Sequence, residues 1–256
     1  MLSSTNVSTT GVGANAIRLG NLVLQGASFN YVVWSPTSRS LVTGGVNNAV
    51  TDVADRTSTT AYMRGLSEKI RVQTNTSVPW LWRRICFTTK DRLFTATVVG
   101  DQAPLTAYQP YFDTNSSNIG MTRNWFNLAQ NNTPNTIDVF NGSIFKGQQG
   151  KDWSDSITAP LDPTRITVKS DRTMTIQSNN ERGVIRELKR WYPMNSNLVY
   201  DDDENGSAES PSYLSTEAKP GMGDYYIVDI IVSGQNGTST DRLEIGSTST
   251  LYWHEK

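Results

Sequence analysis

The sequence predicts an all-β fold, a two-sheet β-sandwich or jelly roll of about eight strands with little helix. Three observations predict it. Hydrophobic residues make up 36% and charged residues 18% of the 256 positions, while Ser, Thr, Asn and Gly are abundant. That mix suits short strands joined by polar loops. Segments rich in β-branched and aromatic residues recur along the whole chain. No linker-like stretch separates them, so residues 17–256 are expected to form one domain after a flexible, small and polar segment, 1–16.

Residues 22–34 (LVLQGASFNYVVW) read as one strand with a bulge at Gly26, ended by Ser35-Pro36. Residues 61–73 alternate, with Tyr62, Arg64, Leu66, Glu68, Ile70 and Val72 on a mostly apolar face. Met63, Gly65, Ser67, Lys69 and Arg71 take the opposite, basic face; a helix over 61–70 is the competing reading. Pro79 opens a strand over 80–88, and 93–99 reads as a short strand. A long polar stretch follows to 160, with a short helix expected at 124–129. A loop region of this length is expected to be functional or part of an interface. Residues 166–178 suggest a hairpin turning near Ser170-Asp171-Arg172, and 184–192 fit either a helix or a strand. The run YYIVDIIV at 225–232 predicts a strand covered on both sides, and 243–253 predicts a last strand.

Charge is unevenly placed. Residues 56–92 carry eight basic residues against two acidic ones, a local charge of +6 in a chain of net charge −1. The basic residues are interleaved with Trp80, Trp82 and other apolar side chains, unlike a solvated tail. The reading is two strands with one face in a core and a basic face towards a polyanion. Arg64, Lys69, Arg71, Arg83 and Arg84 are the candidate contacts here, with one of Arg83 and Arg84 expected to face outward to phosphates. A second cluster at 165–190 has a local charge of +4 and adds Arg186, Lys189 and Arg190. The segment 201–229 is acidic, at −7, and such polarity suits head-to-tail subunit contacts or one anion-facing surface.

Catalytic constellations are sparse. His254 is the sole histidine, two residues from the end, and Cys86 the sole cysteine, expected as a buried small hydrophobe. One of each leaves no Cys/His zinc set and no internal disulfide, which favours a reducing compartment. No catalytic residue and no cofactor is expected. Asp201, Asp203 and Asn205 with Gly206 fit the opening of a calcium loop, but Ser212 stands where the bidentate glutamate belongs. They are weak metal candidates beside the plainer reading of an exposed acidic turn.

Two blocks carry a family resemblance. YMRGLSEKI (62–70) followed by PWLWRRICFT (79–88) resembles the capsid (coat) proteins of genomoviruses, small circular single-stranded DNA viruses often found with fungi. Arg190-Trp191-Tyr192, Leu198-Val199-Tyr200 with Gly206, and the terminal Tyr252-Trp253 resemble the late strands of that family and of the related geminivirus coat proteins. The resemblance implies a single viral jelly roll, an eight-stranded antiparallel β-sandwich with long loops. It implies self-assembly into a small icosahedral (T=1-like) shell of roughly sixty copies. The shell would package circular single-stranded DNA through non-specific basic contacts, without a membrane partner. It places the protein in the virion, in the host nucleus during assembly, and in contact with a host-surface or vector partner.

One departure stands out. Members of the family usually begin with an Arg-rich arm, whereas the first basic residue here is Arg18. The expectation is an arm upstream of Met1; reliance on the inner face and counterions is the alternative. An aromatic such as Trp80 or Trp82 would stack on a base or, as the plainer reading, fill the core. The competing function is a carbohydrate-binding, lectin-like β-sandwich, which would need exposed aromatics on one flat face. A β-sandwich hydrolase has no nameable site.

Overall fold

A computed structural model of the chain describes residues 1–255 apart from 12, 44–45, 50–54, 99, 102–107, 115–118, 132 and 207. Eight strands build two facing sheets: β1 (Leu22–Gln25), β2 (Asn30–Trp34), β3 (Thr60–Thr74), β4 (Trp80–Thr89), β5 (Thr167–Ile176), β6 (Ile185–Val199), β7 (Asp224–Ser233) and β8 (Arg242–Glu255). The first sheet has the order β5-β4-β7-β2 and the second β6-β3-β8-β1, with antiparallel neighbours throughout. Successive strands fall in different sheets except β4 and β5, which are neighbours in the first, and β1 pairs with β8, β2 with β7, β3 with β6 and β4 with β5.

Alternation explains the core between the sheets. Leu22, Leu24, Ile70, Val72, Leu243 and Ile245 of the second sheet pack on Trp80, Trp82, Ile176 and Ile231 of the first. Nearer the other end, Met63, Leu66 and Leu251 meet Trp34, Cys86, Tyr225 and Ile227. Burial pushes the Cys86 thiol up to about 12, in keeping with a small hydrophobe.

The first sheet is covered on its other face as well, as the unbroken apolar run of β7 predicts. Tyr31, Val33, Phe87, Tyr226 and Val228 point into a second layer supplied by the insertion between β4 and β5. Phe94, Phe126, Trp153 and helix α1 (Pro134–Ile144) make that layer. Pro134 starts α1, and Ile137, Phe140 and Ile144 give it one buried stripe. The long polar stretch is therefore a cover for a sheet face. Among the described residues no helix is long and apolar enough to cross a membrane.

Several local expectations are corrected. Residues 1–16 are not a free arm: Ser3–Val7 is a buried strand, parallel to 120–125 and antiparallel to 13–19. Its small polar side chains find partners, with Ser4 Oγ donating to the Arg123 carbonyl (3.3 Å) and Thr5 Oγ1 to that of Trp125 (3.1 Å). The small sheet packs against β1 and β2 and covers those edges of the sandwich. Residues 22–34 are two strands in different sheets, because the chain turns at Gly26. Residues 124–129 hold a strand end and the start of a 3₁₀ turn, not a helix, and 92–95 is a 3₁₀ turn, not a strand. Residues 166–178 form the single strand β5, since Asp171 is held across the sheet by Arg83 rather than turning the chain. The ambiguous segments 61–70 and 184–192 are both strand.

Asp224, at the start of β7, is buried and accepts hydrogen bonds from Ser215 N (2.9 Å) and Ser215 Oγ (3.0 Å). Burial outweighs these bonds and pushes its carboxyl up from 3.8 to about 6. A raised carboxyl favours the folded state in its protonated form. Its stabilising contribution is complete below the ordinary value of 3.8 and is lost as pH rises through about 6. A shift of this size corresponds to about 3 kcal/mol. Thermal melts from pH 3.5 to 7 should show the wild type losing stability relative to Asp224→Asn across that window; parallel curves would contradict the assignment.

Candidate nucleic-acid interface

The eight basic candidates divide by burial. Arg83 and Arg84 are both buried, at 4% and 3% exposure, so neither is available to phosphate. Arg83 faces the insertion, where it pairs with Asp171 (2.7 Å) and donates to the Ser156 and Ala159 carbonyls (both 2.8 Å). Arg84 faces the second sheet. It forms a two-point pair with Asp229 (2.7 and 3.0 Å) and donates to Glu68 (2.6 Å) and the Tyr192 hydroxyl (3.0 Å). Burial alone would lower its pKa, but Asp229 and Glu68 hold it well above the ordinary value. Arg123 completes the group by pairing with Glu68 and with Asp229 (3.0 Å). Trp80 and Trp82 lie in the core, and Trp82 Nε1 donates to Asp229 (2.7 Å).

Arg186, which is exposed, and Arg190, which is partly buried, lie apart from the other candidates. They lie across from Val72 and Glu68, on the side of β6 that faces the core. Arg186 reaches from there to the Thr175 and Gln177 carbonyls at the end of β5, tying the two edge strands (3.4 and 3.2 Å).

Arg64, Lys69, Arg71 and Lys189 remain, and all four share the outer face of the second sheet. Lys69 and Arg71 point outward as the alternation predicts. Arg64 and Tyr62 were expected on the apolar face, yet both are exposed, while Met63 and Ala61 are buried. The reason is a bulge: β3 skips a residue against β8 at Arg64, beside Gly65, whose φ is +155°. Arg64 then donates to Asn195 Oδ1 (2.6 Å) at the matching irregularity of β6.

On this face the cross-strand rows are Glu187–Arg71–Gly246, then Lys189–Lys69–Thr248, then Trp191–Ser67–Thr250, and Tyr252 lies across from Gly65. A groove of about 600 Å³ runs over the first two rows, bounded by Leu2, Leu19 and Asn21. Arg71 has Glu244 at 3.8 Å, but Lys69 and Lys189 form no ion pair among the described residues. Beside the groove, Trp191 and Tyr252 are half exposed (50% and 49%) with ring centroids 5.7 Å apart. Tyr62 and His254 stack further along, at 6.4 Å. These four aromatics escape a reading based on clusters of charge. The outward sequence 187, 189, 191 would mark Trp191 once β6 is taken as a strand.

Part of the acidic region is paired inside the same chain. Asp202 pairs with buried Arg56 at 2.5 Å, and Arg92 bridges Asp201 (2.9 Å) and Glu217 (3.4 Å). The expected charge polarity thus works within one subunit in these pairs. Asp203 and Asn205 lie on one strand of a small hairpin, 203–205 with 208–210, and Asp201 is held by Arg92. Among the described residues no three His, Cys, Asp or Glu side chains converge as a metal site would require.

Glu68→Gln should destabilise the fold by about 3–5 kcal/mol, because it leaves Arg84 and Arg123 with one carboxylate between them in the core. Urea denaturation measures this, and a change under about 1 kcal/mol would show the group is dispensable. Compared with known proteins, the chain matches no protein-family model, and no curated protein matches it either.

Proposed function

We propose that the chain is the capsid subunit of a small single-stranded DNA virus of genomovirus type, which assembles into a closed shell and holds its genome on the outer face of the second sheet. The observation that carries the proposal is that face: Arg64, Lys69, Arg71 and Lys189 gathered on one exposed surface, with both lysines unpaired among the described residues. Cations left exposed in this way suit backbone phosphates, which bind through charge and not through sequence.

The proposal reads the sandwich as a jelly roll. The pairs β1:β8, β2:β7, β3:β6 and β4:β5 are those of one long hairpin rolled on itself, and apart from β4 and β5 the sequential strands alternate between sheets. The likeness of 62–70 and 79–88 to genomovirus capsid proteins supports the same reading. In the shell this face would line the interior.

A lectin-like function is the second reading. Trp191 and Tyr252 give an exposed aromatic pair on one sheet face, as it requires. The cations beside them favour a polyanion over a neutral glycan.

Purified protein mixed with circular single-stranded DNA should give small closed particles by negative-stain electron microscopy. Its DNA affinity should fall steeply with salt. Lys69→Glu with Lys189→Glu should weaken binding by about ten- to a hundredfold at low salt. Absence of particles together with salt-insensitive binding would overturn the proposal, and clear hits on a neutral glycan array would favour the second reading.

A further inference from the structure

We infer that Trp191 and Tyr252 form a stacking platform for an unpaired base, and that Lys69 and Lys189 grip the adjoining phosphate, so that the face selects single-stranded over duplex DNA. The inference rests on the reading of this face as a DNA surface and adds the residues by which it would tell an unpaired strand from a duplex.

The platform is built on a missing side chain. A Cβ on Gly65 would stand 2.5 Å from the Tyr192 carbonyl oxygen and 2.7 Å from Trp191 Cζ2. The indole therefore lies down on bare backbone, which only glycine supplies at φ +155°. One face of the ring is thus seated and half of the side chain stays open to solvent. Tyr252 sits across the strand at 57° to it and walls one side. Leaving two large aromatics half exposed forgoes burial that the core grants to Trp80, Trp82 and Trp125.

The lysines carry the second half. Lys69 and Lys189 are direct cross-strand partners, a like-charge pairing that destabilises a sheet. The neighbouring row sets Glu187 against Arg71, so opposite charges are used where stability alone is served. An anion between the lysines removes the repulsion, and the groove provides its room. Lys189 and Trp191 are two residues apart on one strand face, a spacing of about 7 Å, which suits one phosphate and its base in an extended strand. A duplex keeps its bases stacked inside and would meet the lysines alone.

The test compares binding of an oligo-dT, a duplex of equal length and an abasic oligonucleotide to the full chain. Trp191→Ala should weaken oligo-dT binding roughly five- to a hundredfold and leave abasic and duplex binding unchanged. Trp191→Phe should restore part of the loss. Lys69→Ala with Lys189→Ala should reduce the log–log salt slope by about 1.4 on the two single strands and by about 1.8 on the duplex. Thermal melts check that the variants stay folded, as an exposed ring predicts. If Trp191→Ala binds oligo-dT like the wild type, or loses abasic binding equally, the inference falls while salt-dependent wild-type binding leaves the packaging proposal standing. If the wild type binds none of the three ligands, both fall.

Discussion

Four buried charges hold the two sheets and the small N-terminal sheet in one arrangement. Glu68 from β3, Arg84 from β4, Asp229 from β7 and Arg123 from the strand at 120–125 form a neutral set with almost no solvent exposure. Each charge alone would cost several kcal/mol to bury, so the set is stable only when complete. Ser249 and Trp82 donate to its carboxylates, and Tyr192 accepts from Arg84. The Arg123 guanidinium lies between the rings of Trp34 (4.2 Å) and Trp125 (3.9 Å). Through Arg123 the set also seats the strand beside which Ser3–Val7 is buried.

Register follows from these charges. With Glu68 inward, its neighbours Lys69 and Ser67 must face outward, and a one-residue slip of β3 would bury a lysine. Apolar residues alone specify that choice weakly here, because Met63 and Leu66, both buried, would take opposite faces under strict alternation. The bulge beside Gly65 resolves the conflict. It keeps Met63 and Leu66 both inward, turns Arg64 and Tyr62 outward, and leaves the bare backbone on which Trp191 lies. The composition of the outer face is in this sense set by the core.

Much of the strand content was legible because period-two alternation and aromatic content are local signals. The twice-covered β7 could be read from its unbroken apolar run, and β3 and β4 from alternation flanked by Pro79. The partners of charges were not legible. Arg84 and Asp229 lie 145 residues apart, and Arg56 and Asp202 146, so a local count turned ion-paired arginines into a basic patch. The N-terminal strand was missed for a related reason. Ser4, Thr5 and Asn6 look like tail residues, and only hydrogen bonds to residues 123–127 make them core. Of the candidate contacts, Lys69, Arg71 and Lys189 were found by charge. Trp191 and Tyr252 were not, because an aromatic residue is more often core, as Trp80 and Trp82 are.

Glu68 and Lys69 are adjacent in sequence and receive opposite treatment. The glutamate is buried and fully partnered, with Arg84, Arg123 and Ser249 around it. The lysine is exposed and set against another lysine across the strand. A sheet selected only for stability would replace one member of that pair by an acid, as the next row does with Glu187 and Arg71. Such a swap would gain a few tenths of a kcal/mol to about 1 kcal/mol. The repulsion is a cost that an anion between the two lysines would relieve. Under the proposed capsid reading, subunits would remain apart from one another's basic faces until nucleic acid is present to neutralise them. It also explains how a chain of net charge −1 can present a cationic surface. Most of its buried or partly buried arginines answer acids within the same subunit, while Arg64, Lys69, Arg71 and Lys189 stay exposed together on one face.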